Sequence, residues 1–214
     1  MALPLHALTK LKPYLKGEVL SLGYPDLTVT PGDIEKLFGY KPTEFTKANE
    51  WHGREDPLPE TFELFDHLGA KLTVVDFTPD RGVEQIADLN YPHDLGKFDL
   101  VIDAGTLEHC FNIGQAWTNA AGAVKVGGHI YHISPMNMPN HGFYSLSPTV
   151  FHDFYSQNGW HCEMKILARP MYFNTTGRFM VTTEHLVSCL ARRNHSEPFK
   201  MPIQTKYLEK MERK

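Results

Sequence analysis

Continuous apolar runs alternate along this chain with stretches whose apolar residues fall at helical spacing. "EVLSLG" (Glu18 to Gly23) predicts a short strand closed by glycine. "ETFELFDHLGA" (Glu60 to Ala70) sets Phe62, Leu64, Phe65 and Leu68 near one helix face and ends at Gly69. "KLTVVDF" (Lys71 to Phe77) is rich in β-branched residues and carries Asp76 at its end. "FDLVIDA" (Phe98 to Ala104) repeats that form with Asp103. "IGQAWTNAAGAV" (Ile113 to Val124) predicts a helix, and "GGHIYHI" (Gly127 to Ile133) a strand entered through a Gly-Gly turn. Unbroken apolar strands separated by helices are the signature of a parallel sheet covered on both faces. Such sheets bind ligands beyond the carboxyl ends of their strands. Gly23, Asp76 and Asp103 all fall there.

The later pattern is less regular. "SPTVFHDFYSQNGW" (Ser147 to Trp160) predicts a helix capped by Ser147, with Pro148 first and Gly159 as its stop. "HCEMKILA" and "FMVTTEHLVSCLA" predict two further strands, antiparallel to each other. The expected fold class is therefore α/β, a Rossmann-like doubly wound sheet, mostly parallel, with an antiparallel strand near the C-terminus. Residues 24–59 exceed a single helix and its loops, and "KPTEFTKANEWHGREDPLPE" reads as an insertion or a lid. The expected layout is one domain over 1–192 and a C-terminal tail over 193–214, whose "KYLEKMERK" reads as a solvated helix.

Composition narrows the classes. A formal net charge of -4 argues against a nucleic-acid binder. Three widely spaced cysteines, Cys110, Cys162 and Cys189, argue for a reducing compartment rather than a disulfide framework. No apolar run nears the roughly 20 residues of a membrane helix. The first residues lack a signal-peptide core. A cytoplasmic protein off the membrane is expected, and Asn174-Thr175-Thr176 is then a chance glycosylation sequon.

Candidate chemistry concentrates in "FDLVIDAGTLEHC", where a buried strand runs into Asp103 and then a Glu-His pair. A carboxylate is rarely buried without a partner, so the strand is expected to open onto a polar crevice. Asp76 at its strand end is placed to accept both hydroxyls of a ribose; a turn or cap is its plain alternative. The small residues after Asp103 let backbone carbonyls approach a ligand ammonium, or simply make a tight turn. His129 and His132 are three apart on a strand, so they face opposite ways and are no ligand pair.

In order and spacing, "GEVLSLG", "LTVVDF", "IADLN" (Ile86 to Asn90), "FDLVIDAGTLEHC" and "AVKVGGHIYHISP" resemble the motifs of class I S-adenosylmethionine-dependent methyltransferases, over about residues 10–190. The resemblance implies methyl transfer to oxygen or nitrogen of a small molecule, with S-adenosyl-L-methionine as cofactor. It implies cofactor contacts at Gly23, Tyr24, Asp76, Phe77, Asp88, Leu89, Asp103, Ala104 and Gly105. Asp76 would hold the ribose, Asp88 the adenine amine, and Phe77 would lie against the adenine ring. "NMPNHGFYSLSP" (Asn137 to Pro148) resembles a segment of methyltransferases found with sugar and polysaccharide enzymes. That turns His141, Phe143 and Tyr144 toward an acceptor and suggests a sugar or glycan precursor in that place.

The first motif departs from the family. Gly23 is followed by Tyr24, Pro25 and Asp26 instead of further glycines. Pro25 has no N–H to offer a carboxylate, and Asp26 is an anion near the cofactor's own carboxylate. A non-catalytic Rossmann-like module binding a nucleotide or a partner protein is the competing reading. A nucleotide-sugar or dinucleotide enzyme is disfavoured, because no G-x-G-x-x-G follows any strand.

For proton removal, His109 and His141 are the candidates, with Glu108 beside them. Glu108 would raise the pKa of His109 if the side chains met. Neighbours on a helix do not face each other, so Glu108 is expected to accept a hydrogen bond separately. Some relatives with Glu-x-x-Glu-His at this place bind a divalent metal. Here Gly105 stands in place of the first Glu, so no metal is expected.

Overall fold

The computed structural model describes residues 2–46, 56–139, 141–170 and 183–212. Among them, seven strands form one sheet: β1 (Gly17–Leu22), β2 (Ala70–Asp76), β3 (Glu84–Ile86), β4 (Phe98–Asp103), β5 (Val124–Pro135), β6 (His161–Pro170) and β7 (Thr183–Arg192). Their spatial order is β6-β7-β5-β4-β1-β2-β3. Pairing is parallel from β5 through β4, β1 and β2 to β3, and β7 runs antiparallel to both β5 and β6. This is the expected fold class, a mostly parallel Rossmann-like sheet with an antiparallel strand near the C-terminus.

Strand alternation divides the core between two faces. Leu20, Leu22 and Val101 pack on one side with Ala116, Trp117 and Ala120 of α4 (Ile113–Gly122) and with Phe151, Phe154 and Tyr155 of α5 (Pro148–Gln157). Val19, Val74, Leu100 and Ile102 pack on the other. There they meet α1 (Leu5–Leu11), α2 (Pro31–Phe38) and α3 (Thr61–His67). Ser147 caps α5 with Pro148 in its first turn, and Gly159 follows at φ 68°, as expected.

The Gly-Gly pair expected as a turn before the strand lies inside β5, and Gly128 shows why glycine is needed there. A Cβ there would lie 2.9 Å from the Asp99 carbonyl oxygen and 3.1 Å from that of Phe98. The pairing of β4 with β5 slips at this point, and only glycine admits so close a backbone.

The described part of 24–59 is structured rather than an open loop. After Gly23 the chain pairs Asp26–Leu27 in parallel with Ala2–Leu3. Helix α2 then begins with a capping box between Thr30 and Asp33 and ends at Gly39. Phe45–Thr46 pairs antiparallel with Leu58–Pro59, and Leu27, Ile34 and Leu58 are buried. Trp51 and His52, within the stretch read as an insertion or a lid, lie outside the described residues, as does the Asn174 sequon.

The described part of the expected C-terminal tail, 193–212, packs against the sheet and α5. Arg193 is buried, and its guanidinium donates to the carbonyls of Val124 and His195, each at 2.8 Å. Phe199 packs against Phe154 and Trp160. The final helix α6 (Thr205–Glu212) begins at Thr205, which donates to Asp153 of α5 through both its N–H and its hydroxyl. No helix among the described residues is long and apolar enough to cross a membrane.

Candidate functional site

The carboxyl ends of β1, β2, β3, β4 and β5 lie in register along one edge, since Leu22 pairs with Val75, Asp76 with Ile86 and Asp103 with His132. Gly23 leaves β1 at φ 83° and Gly105 follows β4 at φ 97°, so both turns need glycine. The Thr106 hydroxyl donates to the Leu22 carbonyl at 2.5 Å and ties the ends of β4 and β1 together.

Asp103 does not present its side chain to this edge. Its carboxylate is fully buried and meets Nδ1 of the equally buried His132 at 2.7 Å. It also accepts from the N–H groups of Thr106 and Leu107. His132 continues through Nε2 to the Tyr155 hydroxyl at 2.6 Å. The strand therefore ends on a carboxylate because a buried histidine partners it, which corrects the expected polar opening. Asp103 and Ala104 are buried as whole residues, and Gly105 is the half-buried residue of this turn. His129 is separate from this chain of bonds, its ring against Tyr14 at 4.4 Å.

Asp76 is half-buried at the end of β2, and one of its oxygens accepts from the Phe77 N–H at 2.6 Å. The Phe77 ring is 68% exposed. Asp88 accepts from the N–H and the side-chain amide of Asn90, and Leu89 is buried in the core.

Tyr24 is buried too. Its hydroxyl bonds to Glu60 and its ring lies 4.7 Å from the Arg81 guanidinium. Burial, then Glu60, push the Tyr24 phenol well above its ordinary pKa. Arg81 also pairs with the buried Asp26 at 2.7 Å. The anion expected to oppose a cofactor carboxylate is thus neutralised within the protein. Arg81 and Glu60 carry this arrangement, and neither stands out in the sequence: Arg81 sits in a polar loop and Glu60 at the start of a helix.

The Glu-His pair lies on a 3₁₀ turn, Leu107–His109, just beyond β4. The loop after β5 folds onto it. The N–H groups of Phe143 and Tyr144 donate to the Glu108 carbonyl at 2.9 and 3.3 Å. Gly142 permits the contact, because a Cβ there would lie 2.9 Å from that oxygen. The fold so brings together all three candidates for chemistry. His109 and His141 have ring centroids 5.0 Å apart, and His141 Nε2 is 3.4 Å from Glu108 Oε1. Both histidines are exposed while Glu108 is fully buried.

Burial holds the His109 imidazole below its ordinary pKa; the Glu108 charge opposes this, and His141 adds to it. The expected upward pull of Glu108 is present but does not win. Beside these groups, the exposed rings of Phe111 and Phe143 meet edge to face at 5.5 Å, and the Tyr144 hydroxyl donates to the Phe111 carbonyl.

No family model matches the chain, and no curated protein matches it. Solved structures do. TehB from Haemophilus influenzae aligns with a TM-score of 0.55 at 12% identity, over 87% of this chain and 60% of TehB. YcgJ from Bacillus subtilis aligns at 0.53 and 11% identity, over 90% and 98%. The 1,6-didemethyltoxoflavin-N1-methyltransferase of Burkholderia thailandensis, solved with S-adenosylhomocysteine, aligns at 0.50 and 12%, over 88% and 76%. The chain spans less than two thirds of TehB, so its likeness to TehB is one of domain fold. Strand order, the antiparallel β7 and these alignments agree: the chain has the fold of the class I S-adenosylmethionine-dependent methyltransferases.

Proposed function

We propose that the protein transfers a methyl group from S-adenosylmethionine to an oxygen or nitrogen of a small-molecule acceptor. The observation that carries this reading is the half-buried Asp76 carboxylate at the end of β2, on the sheet edge where this fold takes its ligand. The residues present fit the cofactor. Glycine lines the turns after β1 and β4, and Asp26 is already paired with Arg81. Tyr24 and Leu89 are buried, so neither side chain is offered to the cofactor. The cofactor's sulfonium supplies the methyl group. Asp76 would hold the ribose, Asp88 would serve the adenine amine, and the turn at Gly105 would serve the cofactor's ammonium. Phe111 and Phe143 offer apolar surface to the acceptor, and His109 or His141 takes its proton. Burial lowers the His109 pKa, which favours the neutral imidazole that can accept a proton. A sugar or glycan precursor is the acceptor class suggested by the sequence of Asn137 to Pro148.

Calorimetry with S-adenosylhomocysteine tests this. The protein is expected to bind it, and Asp76→Ala to weaken binding by about 1.5–3 kcal/mol, the range for hydrogen bonds to a charged group. No binding by the folded wild-type protein removes the cofactor; equal binding by the variant removes the ribose role of Asp76.

A further inference from the structure

We propose that Glu108, His109 and His141 bind one divalent transition-metal ion, through a carboxylate oxygen and two imidazole nitrogens. One ligand atom from each lies within 4.8 Å of the others. Ligands bound to a common ion at about 2.0–2.2 Å stand within about 4.4 Å of each other, so modest side-chain rotation closes the site.

A second observation points the same way. Glu108 is fully buried, and among the described residues neither of its carboxylate oxygens has a hydrogen-bond partner. His141 Nε2 lies 3.4 Å from its Oε1. A buried carboxylate without hydrogen bonds is costly, and native structures keep such groups for a reason. A cation held jointly with the two imidazoles supplies the missing partner.

The surroundings hold these ligands in place. The Phe143 N–H on the Glu108 carbonyl couples the His141 loop to the turn that carries Glu108 and His109. Gly142 and Gly105 leave room for the acid: a Cβ at Gly105 would sit 3.2 Å from Glu108 Oε1. Counting ligands along one segment, with Gly105 in place of a Glu, conceals the site. The third ligand comes from another strand's loop.

The donor set states the class of ion. Two imidazoles and one carboxylate suit Zn²⁺, Mn²⁺, Fe²⁺ or Co²⁺, whereas Mg²⁺ and Ca²⁺ favour oxygen alone. Glu108 lies on the inner side and both histidines on the outer, so the remaining coordination positions face outward, where water or an acceptor oxygen can enter. With an ion bound, both imidazoles are ligands. The proton-accepting role given to them above then belongs to the metal-free protein.

The test is independent of the methyl-transfer reading. Protein stripped with a chelator is titrated with Zn²⁺ and with Co²⁺, with bound metal counted by elemental analysis and Co²⁺ followed by its visible absorption. One ion per chain is expected. Glu108→Gln, His109→Ala and His141→Ala should each weaken it at least tenfold and alter the Co²⁺ spectrum, while His161→Ala does neither. His141 is exposed, so its variant keeps the fold even if Glu108→Gln does not. Wild-type protein that binds neither ion, or binding unchanged in His141→Ala, overturns the proposal. S-adenosylhomocysteine calorimetry on the stripped protein separates this result from any failure of the cofactor reading.

Discussion

At the scale of single residues, the buried sequence Asp103–His132–Tyr155 explains an oddity of composition by partnership. His132 bridges a carboxylate and a phenol, and all three side chains are fully enclosed. Removing the bridge leaves one oxygen of the buried carboxylate without its partner, so His132→Leu is expected to cost about 3–5 kcal/mol. Tyr155→Phe removes one hydroxyl and strands Nε2, a cost of about 1–3 kcal/mol. Urea denaturation of the two variants checks the order; equal losses would mean that His132 is not the centre of the chain. Asp103 is recognisable in the sequence, because a carboxylate closing an apolar run is unusual. Its partner is not, since His132 lies 29 residues away and becomes a neighbour only when β4 and β5 pair in this register. Glu108, His109 and His141 divide in the same way. Each stands out near a strand end, but that they converge depends on a loop folding back across the sheet edge.

At the scale of elements, patterning reveals what is long and buried. The strands β1, β2, β4 and β5 and the helices α4 and α5 lie within a few residues of where their apolar periods place them. β3 escapes because Glu84–Ile86 is three residues of edge strand, with Gln85 and Ile86 exposed, and so has no buried period to read. α2 has a legible signal in Thr30 with Asp33 three residues on, and Pro31 between them, which apolar periodicity alone passes over. Glycine positions test how tightly elements meet. Gly128→Ala drives a methyl into the backbone of β4 and is expected to cost about 1–3 kcal/mol. Gly114 stands in the first turn of α4, and a methyl group added there would meet no atom within 4 Å. Gly114→Ala is therefore expected to stabilise by up to about 0.5–1 kcal/mol. Thermal melts of the pair should shift in opposite directions. A shared sign would show that β5 relaxes around the new methyl, or that α4 does not gain from it.

At the scale of the whole molecule, the C-terminal segment closes the fold, and composition alone hides this. "KYLEKMERK" reads as solvated because its charges are visible in the sequence, whereas the anchors precede it. Arg193 extends the pairing of β7 with β5, its N–H donating to the Gly128 carbonyl at 3.0 Å while its carbonyl accepts from Gly127 at 2.8 Å. Its side chain satisfies two further carbonyls and lies over Trp160 and Phe199. Arg193→Ala leaves the buried Val124 carbonyl without that donor and is expected to cost about 2–4 kcal/mol, since hydrogen bonds to a charged group contribute about 1.5–3 kcal/mol each. Asp153 anchors the far end. Burial raises its carboxyl pKa, but the hydrogen bonds from Thr205 and His152 outweigh burial and leave it below its ordinary value of 3.8. Between the two values the unfolded chain binds more protons than the native one. The contribution of Asp153 is therefore complete above the ordinary value and is lost as pH falls through the lowered one. Asp153→Asn should be less stable than wild type at neutral pH, and the gap between them should narrow on acidification. Urea midpoints for both proteins, taken from neutral pH down into the carboxylate range, check this. A gap that stays constant with pH would mean that Asp153 holds Thr205 without its charge, and equal stability of Arg193→Ala and wild type would return the segment to the status of a tail.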